Sequence, residues 1–359
     1  MHEKQNLLSL TKDQLDVFFS HLGEKPYRTK QIMQWVYHKH VLDFGAMLNL
    51  SKTLRDKLEN SACLDLPQIT KQNYSLDGVI KWLLDLGNNN QIEMVYIPEK
   101  DRGTLCISSQ VGCALACTFC STGAQGFNRN LTTAEIISQV LIANKHLNSK
   151  NKKISNVVFM GMGEPLLNES SVYNACNLFL DDLAFGLSRR KVTISTSGIV
   201  PALLRMAQTT PVSLAISLHA PDDDLRDVLV PINKKYPIKE LLDACQNYID
   251  SGQQKRHILI EYVMLDGVND TSEHAKKLVK LIKGMSVKVN LIPFNPFEKT
   301  QYRVSKASTI ENFQDILYRS GIRTMVRRTR GEDVDAACGQ LAGKVIDKSN
   351  RAIKLNVRN

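Results

Sequence analysis

From residue 103 onward the chain alternates extended apolar runs with helical periodicity, and that alternation restricts the fold more than any other feature. The extended runs fall at 104–109, 155–160, 191–196, 212–218, 257–264 and 286–292. Helical patterns separate them at about 132–147, 170–180, 199–207, 238–251 and 272–283, and a last helix near 308–320 leads to a run at 322–328. Strands that return in parallel need crossovers of this length, so the pattern predicts a parallel sheet covered by helices. Six such units predict an α/β fold of the partial (βα)6 barrel type, with its site at the carboxyl ends of the strands.

The residues before this region read differently. Thr11-Lys12-Asp13-Gln14 offers an N-cap before a periodic run through Phe19, with Gly23 as its stop. Pro26 opens a second helix in which Ile32, Trp35 and Val36 recur at helical spacing, and a third covers about 50–58. After Gln68 the period shifts, and 79–86 and 92–97 read as strands joined by Gly87-Asn88-Asn89-Asn90. The predicted division is an N-terminal mainly helical accessory domain with a trailing hairpin over 1–95, a core barrel ending in a C-terminal loop over 96–345, and a basic tail over 346–359.

Just after the first strand of the core, Cys113-Ala114-Leu115-Ala116-Cys117-Thr118-Phe119-Cys120 places three thiols within eight residues. A structural zinc site is closed by four protein ligands, whereas a [4Fe–4S] cluster can take three cysteines and leave one iron open. Soft thiolates suit such a cluster, and one short loop can hold all three facing a single centre. The plainer readings are three unligated thiols, or a zinc site completed by His219 or Cys106.

Composition narrows the setting. Eight cysteines in 359 residues are too few for a disulfide scaffold, and read as ligands, reactive thiols or apolar core residues. The opening residues carry charges throughout and do not form a signal peptide, and no apolar run reaches the roughly 18 residues of a membrane span. A cytoplasmic protein without a membrane partner is expected. The net charge of +10 suggests a polyanionic partner, although many enzymes are mildly basic without one. The charge is patched: Lys150, Lys152 and Lys153; Arg189, Arg190 and Lys191; Arg327, Arg328 and Arg330; then Lys344, Lys348, Arg351, Lys354 and Arg358 in the tail.

Further motifs sit at the predicted strand ends. Gly161-Met162-Gly163-Glu164-Pro165 follows the second strand, where glycines suit a tight turn or a close approach to a ligand and Glu164 suits an ammonium group. Ser195-Thr196-Ser197-Gly198 follows the third, with Ser197 also fitting a helix N-cap. The fourth ends in Ser217-Leu218-His219, whose histidine reads equally as a packed core residue. Asn295 closes the sixth between two prolines. Cys106 lies seven residues before the cysteine loop, and Cys338 lies far downstream beside Gly339, near basic residues that predict a depressed thiol pKa. Inert buried thiols are the reading for Cys63, Cys176 and Cys245, and the alternative one for Cys106 and Cys338.

Together, CISSQVGCALACTFCSTG (106–123), GMGEPL (161–166), ISTSG (194–198), SLHAP (217–221), NLIPFNP (290–296) and DVDAACGQL (333–341) resemble the adenine-C2 RNA methyltransferases of the radical S-adenosylmethionine superfamily. Dual-specificity bacterial members of that family modify 23S rRNA and tRNA. The resemblance runs through essentially the whole chain, including KPYRTKQI (25–32) in the accessory domain. The related adenine-C8 enzymes of antibiotic resistance tend to carry alanine where this chain has Pro165 and lack Arg328-Thr329-Arg330-Gly331-Glu332, so both features favour C2.

The resemblance implies that Cys113, Cys117 and Cys120 hold the [4Fe–4S] cluster. It implies that Gly163, Glu164, Ser195, Ser217, Leu218, His219 and Asn295 bind S-adenosylmethionine, two molecules per turnover. One methylates Cys338; the other yields a 5′-deoxyadenosyl radical that takes hydrogen from the S-methyl group, and the carbon radical adds to adenine C2. That route suits a ring carbon between two nitrogens, too electron-poor to attack a methyl sulfonium. Cys106 then attacks the Cys338 sulfur, leaving a transient disulfide that is reduced each turnover. Glu93 accepts the C2 proton, with Cys106 as the alternative. The implied partners are 23S rRNA and tRNA, presented with the adenine splayed from its stack, and an electron donor such as flavodoxin or ferredoxin; the protein is expected to be a monomer.

Overall fold

The structure, a computed structural model, describes residues 4–148, 152–251, 257–298 and 300–349. Lys150, Arg351, Lys354 and Arg358, and with them most of the expected basic tail, lie outside the described residues. Local signals build the amino-terminal unit. The helix Lys12–His21 starts where the Gln14 side chain accepts from the Thr11 N–H at 2.9 Å. Tyr27–Met33 follows Pro26 and widens into a π-helical turn over Gln34–His38, and Ser51 caps Lys52–Ser61 through the Leu54 N–H. Leu15, Phe19, Ile32, Met33, Leu54 and Leu58 are buried, each pair one helical turn or less apart. Strands β1 (Gln5–Asn6) and β2 (Ala62–Cys63) pair in parallel and close the unit.

Next come β3 (Gln68–Tyr74), β4 (Ile80–Asp85) and β5 (Gln91–Pro98), an antiparallel meander, and β6 (Gly103–Cys106), antiparallel to β5. The first predicted core strand thus stops at Cys106. After it, β7 (Gln110–Gly112) and β8 (Phe127–Asn130) form their own two-stranded clasp. The remaining strands are β9 (Asn156–Phe159), β10 (Val192–Thr196), β11 (Ser213–Ser217), β12 (Ile258–Met264), β13 (Val287–Pro293) and β14 (Thr324–Val326). They join β6 in a parallel array in strict chain order, and the full ten-stranded sheet reads β14-β13-β12-β11-β10-β9-β6-β5-β4-β3. Its edges, β14 and β3, do not pair with each other, so the α/β barrel stays partial.

The hairpin read over 79–97 is hydrogen-bonded into the core sheet, because β5 turns directly into β6 and pairs with it through Val95↔Cys106 to Pro98↔Gly103. The crossover helices fall where the periodicity places them, including Thr133–Asn148, Glu169–Leu180, Ile238–Asp250 and Ala307–Arg319. Asp223–Leu229 is an additional short helix.

Alternation along the strands separates two environments. Val192, Ile194, Ile216, Ile260, Tyr262, Val289 and Leu291 are buried in the apolar core. Thr193, Ser213, Glu261, Lys288 and Asn290, their neighbours along the strands, line a cavity of about 910 Å³ inside the barrel. A filled eightfold barrel packs apolar side chains there; this one keeps a lumen lined by polar and apolar side chains together. Phe313, on Ala307–Arg319, is fully buried with its ring centroid 5.2 Å from that of Tyr262. Phe313→Ala is expected to lower stability by about 3–5 kcal/mol, seen as a lower urea midpoint in circular dichroism.

Candidate active site

The cysteine loop is clasped at its base. Cys113 N–H donates to the Gly126 carbonyl at 2.7 Å as β7 and β8 meet, and Cys120 N–H turns back onto the Cys117 carbonyl at 3.2 Å. Burial raises all three thiol pKa values, Cys117 to about 12; the charges of Cys117 and Cys120 add to the rise at Cys113, and that of Cys120 to the rise at Cys117. The three thiols therefore lie close enough to act on one another, with Glu164 and Arg226 nearby. Among the described residues no three Cys, His, Asp or Glu side chains converge as ligands of a single ion would. A cubane cluster takes each thiolate at a different iron, and soft thiolates such as these three suit an iron–sulfur group. His219, the suggested fourth zinc ligand, has its Nδ1 engaged by the Val263 N–H at 3.0 Å. Burial, with Arg226 nearby, lowers its pKa to about 3, so the ring is neutral and packs edge-on to Phe119 at 4.7 Å.

The strand-end residues form a rim beside this loop. Glu164 is almost fully buried: Oε1 accepts from the Leu166 N–H at 3.0 Å and Oε2 from the Ser197 N–H at 2.8 Å. Gly163 sits at φ 101, and a Cβ there would lie 2.5 Å from the Gln110 Cβ, so the glycine lets this turn close onto β7. Ser197 is not an N-cap; the helix Val200–Thr209 starts after Ile199, and Ser197 instead hydrogen-bonds Cys117. Ser195 Oγ donates to Glu261 Oε2 at 3.1 Å. Ser217 and Leu218 offer their carbonyls to Arg226, at 3.2 and 3.0 Å.

Arg226 and Glu261 carry no sequence motif. Arg226 is fully buried and also reaches the Ser197 carbonyl at 2.6 Å and Asn233 Oδ1 at 2.8 Å, tying two strand ends together. Burial brings its pKa down to about 10, against the charge of Cys117. Glu261 is a lone acid in the apolar run of β12, in register with Ser217 and Asn290. Its Oε1 lacks a hydrogen bond among the described residues and stands 3.9 Å from Arg327 Nη1.

Cys106, Cys338, Asn295, Glu261 and Arg327 line the same cavity, though they come from distant parts of the chain. Asn295 Nδ2 donates to the Cys338 carbonyl at 3.1 Å. Burial raises the Cys338 pKa, opposed chiefly by Arg327, so the depressed pKa predicted for it is not found. Cys106 is pushed up to about 12 by burial and by the charge of Cys338, again against Arg327. None of the eight cysteines is in a disulfide, so Cys106 and Cys338 form no standing bridge. Arg327 thus faces the thiols. Glu93 is not among the described residues lining the cavity; it is buried, pairs with Lys81 Nζ at 3.2 Å and accepts the Ala342 N–H at 2.9 Å. No helix among the described residues is long and apolar enough to cross a membrane.

A partial parallel barrel with three thiols clustered beside its strand ends defines the class. The family described as the radical SAM superfamily matches residues 107–282, and that described as the ribosomal RNA large subunit methyltransferase N-terminal domain matches residues 5–64. The chain is 72% identical over 348 residues to the dual-specificity RNA methyltransferase RlmN of Ruthia magnifica, covering 97% of this chain and 98% of that protein. It is 71% identical over 355 residues to the protein of the same name from Vesicomyosocius okutanii, covering 99% of each. A solved radical SAM methyltransferase from Sphaerobacter thermophilus superposes with a TM-score of 0.89 at 39% identity, covering 94% of this chain and 99% of the other. The chain belongs to the dual-specificity RNA methyltransferase RlmN family.

Gly163→Ala is expected to disturb β7 and with it the cysteine loop. Iron and sulfide analysis of the reconstituted variant should show a clear deficit against wild type; full loading would mean that the loop does not depend on this contact.

Proposed function

We propose that this chain methylates carbon 2 of adenosine in 23S rRNA and tRNA by way of a methyl group carried on Cys338. The observation that carries this reading is the one cavity that Cys338 and Cys106 line together, although they lie far apart in the chain. Two cysteines in one lumen, beside a separate set of three in a loop, suit a methyl carrier, a resolving thiol and a redox cluster. A [4Fe–4S] cluster on Cys113, Cys117 and Cys120, when bound, supplies the electron and the open iron that turn S-adenosylmethionine into a hydrogen-abstracting radical.

The remaining work falls to side chains. Gly163, Glu164, Ser195, Ser217, Leu218, His219 and Asn295 form the rim that would hold S-adenosylmethionine, and buried Arg226 keeps the Ser217–Leu218 carbonyls in place. The Cys338 thiolate takes a methyl group by displacement, and Arg327 favours that thiolate in an otherwise apolar setting. Cys106 forms the S–S bond to Cys338 that frees the methylated base, and an electron donor such as flavodoxin or ferredoxin supports turnover of this monomeric protein. Glu93, behind the Cys338 segment, accepts the C2 proton, with Cys106 as the competing acceptor. We place the end of the RNA-gripping helical unit near residue 64, with β3–β5 assigned to the core.

Nucleoside chromatography with mass detection tests the reaction. Unmodified 23S rRNA and tRNA, incubated with reconstituted protein, S-adenosylmethionine and reductant, should yield 2-methyladenosine, and Cys338→Ala should yield none. 8-Methyladenosine would move the chain to the C8 chemistry, and equal product from Cys338→Ala would end the carrier role. A second outcome concerns pH. Only the thiolate accepts the methyl group, so Cys338 methylation should speed up as pH rises toward its raised pKa. Removing the Arg327 charge raises that pKa further. Arg327→Gln should therefore slow Cys338 methylation at neutral pH by roughly tenfold and displace the profile to higher pH, as peptide mass spectrometry would show.

A further inference from the structure

The segment bearing Cys338 leaves the sheet edge after β14 and crosses to the turn between β3 and β4. Asp77 collects it there. Its Oδ2 accepts from Arg330 Nε at 2.6 Å and from the Gly331 N–H at 3.1 Å, and Arg330 Nη2 also donates to the carbonyls of Asp77 at 2.8 Å and Pro98 at 3.1 Å. A second carboxylate answers from the segment: Asp333 Oδ2 accepts from the Leu76 N–H at 3.1 Å, and its Oδ1 lies 2.5 Å from the Ser75 hydroxyl. Farther along, Lys81 Nζ donates to the Asp335 carbonyl at 3.1 Å while pairing with Glu93.

Backbone geometry agrees with these contacts. Gly331 is left-handed at φ 67, and a Cβ on it would stand 2.8 Å from both Val79 Cγ1 and Ala336 Cβ, so the segment seats on the turn more closely than a side chain allows. Asp335, also left-handed at φ 51, bends the chain back toward Cys338. Burial pushes the Asp77 carboxyl up, yet hydrogen bonds from Ser75, Gly331, Arg330 and Val79 outweigh it and hold the pKa down at about 2. The seat is thus fully charged at neutral pH.

We propose that Asp77 is a positioning residue for the Cys338 sulfur, and that the 75–79 turn is the seat that aims this sulfur into the barrel cavity. The consequence for turnover rests on the methyl-carrier reading; the seat itself is measured without turnover. Released from Asp77, the segment exposes Cys338 to solvent, and an S-methyl group on it would meet the radical or the adenine less often.

The test is iodoacetamide labelling of Cys338, followed by peptide mass spectrometry. It uses full-length protein expressed under iron limitation and reconstituted without S-adenosylmethionine. Asp77→Ala and Arg330→Ala should each speed labelling by about tenfold, the effect of losing a hydrogen bond to a charged group. The double variant should fall short of the product of the two effects, since both changes remove the shared Arg330–Asp77 pairing. In turnover, the single variants should release more 5′-deoxyadenosine per methyladenosine formed. Unchanged labelling in both single variants, or additive effects in the double, would overturn the proposal. If Asp77→Ala fails to load iron, Arg330→Ala, at the partly exposed outer end of the contact, decides alone. If wild type forms no methyladenosine, the functional reading fails while the labelling comparison still judges the seat.

Discussion

Residues 337–343 touch three separate parts of the fold, and the chemistry of the site depends on that three-way contact. Ser121 N–H donates to the Gly339 carbonyl at 2.8 Å and Thr122 Oγ1 to the Leu341 carbonyl at 2.6 Å, joining the segment to the cysteine loop. Gln340 Nε2 reaches the Pro296 carbonyl at 2.8 Å, joining it to the end of β13. Glu93 and Gln91 on β5 complete the set through Ala342 and Lys344. Cys338 is held between these supports. A catalytic sulfur placed to within a fraction of an ångström needs rigid neighbours on every side, and a terminal segment has none of its own.

The site also concentrates charge where water is scarce. Arg226, Glu164, Glu261 and Arg327 all lie at or inside the barrel, and each is offset by a named partner: carbonyls for Arg226, backbone N–H groups for Glu164, Ser195 for Glu261, and the acid and thiols for Arg327. Burial disfavours thiolates, which explains why every cysteine with a resolved shift is raised here. Arg327 opposes that penalty for the pair in the cavity. Two arginines therefore divide the thiols between them, buried Arg226 beside Cys117 and partly exposed Arg327 beside Cys106 and Cys338.

Much of this was legible before any coordinates. The strand–helix alternation gave the parallel array and nearly every crossover helix, because period and capping act within a few residues. Cys113, Cys117 and Cys120 announced themselves by spacing, and Glu164, Ser195 and Asn295 by sitting at strand ends. Glu261 left one faint signal, a single acid in Ile258–Met264. Arg226 left none, since an arginine in a charged helix reads as a solvated face. Arg327 and Arg330 were read as a basic surface for the same reason, yet one turns inward to the thiols and the other binds Asp77.

The sequence alone therefore determined the class of fold, the ligand loop and the rim of the barrel, all of which rest on contacts between near neighbours or on regular period. The tertiary structure decided which thiols share a cavity, which charges are buried, that the β3–β5 meander extends the core sheet, and that the turn at Asp77 holds the Cys338 segment. Those contacts join residues up to 258 positions apart, as between Ser75 and Asp333. No local preference encodes such pairs; they form only when the packed sheet brings its first and last strands within reach of the same segment.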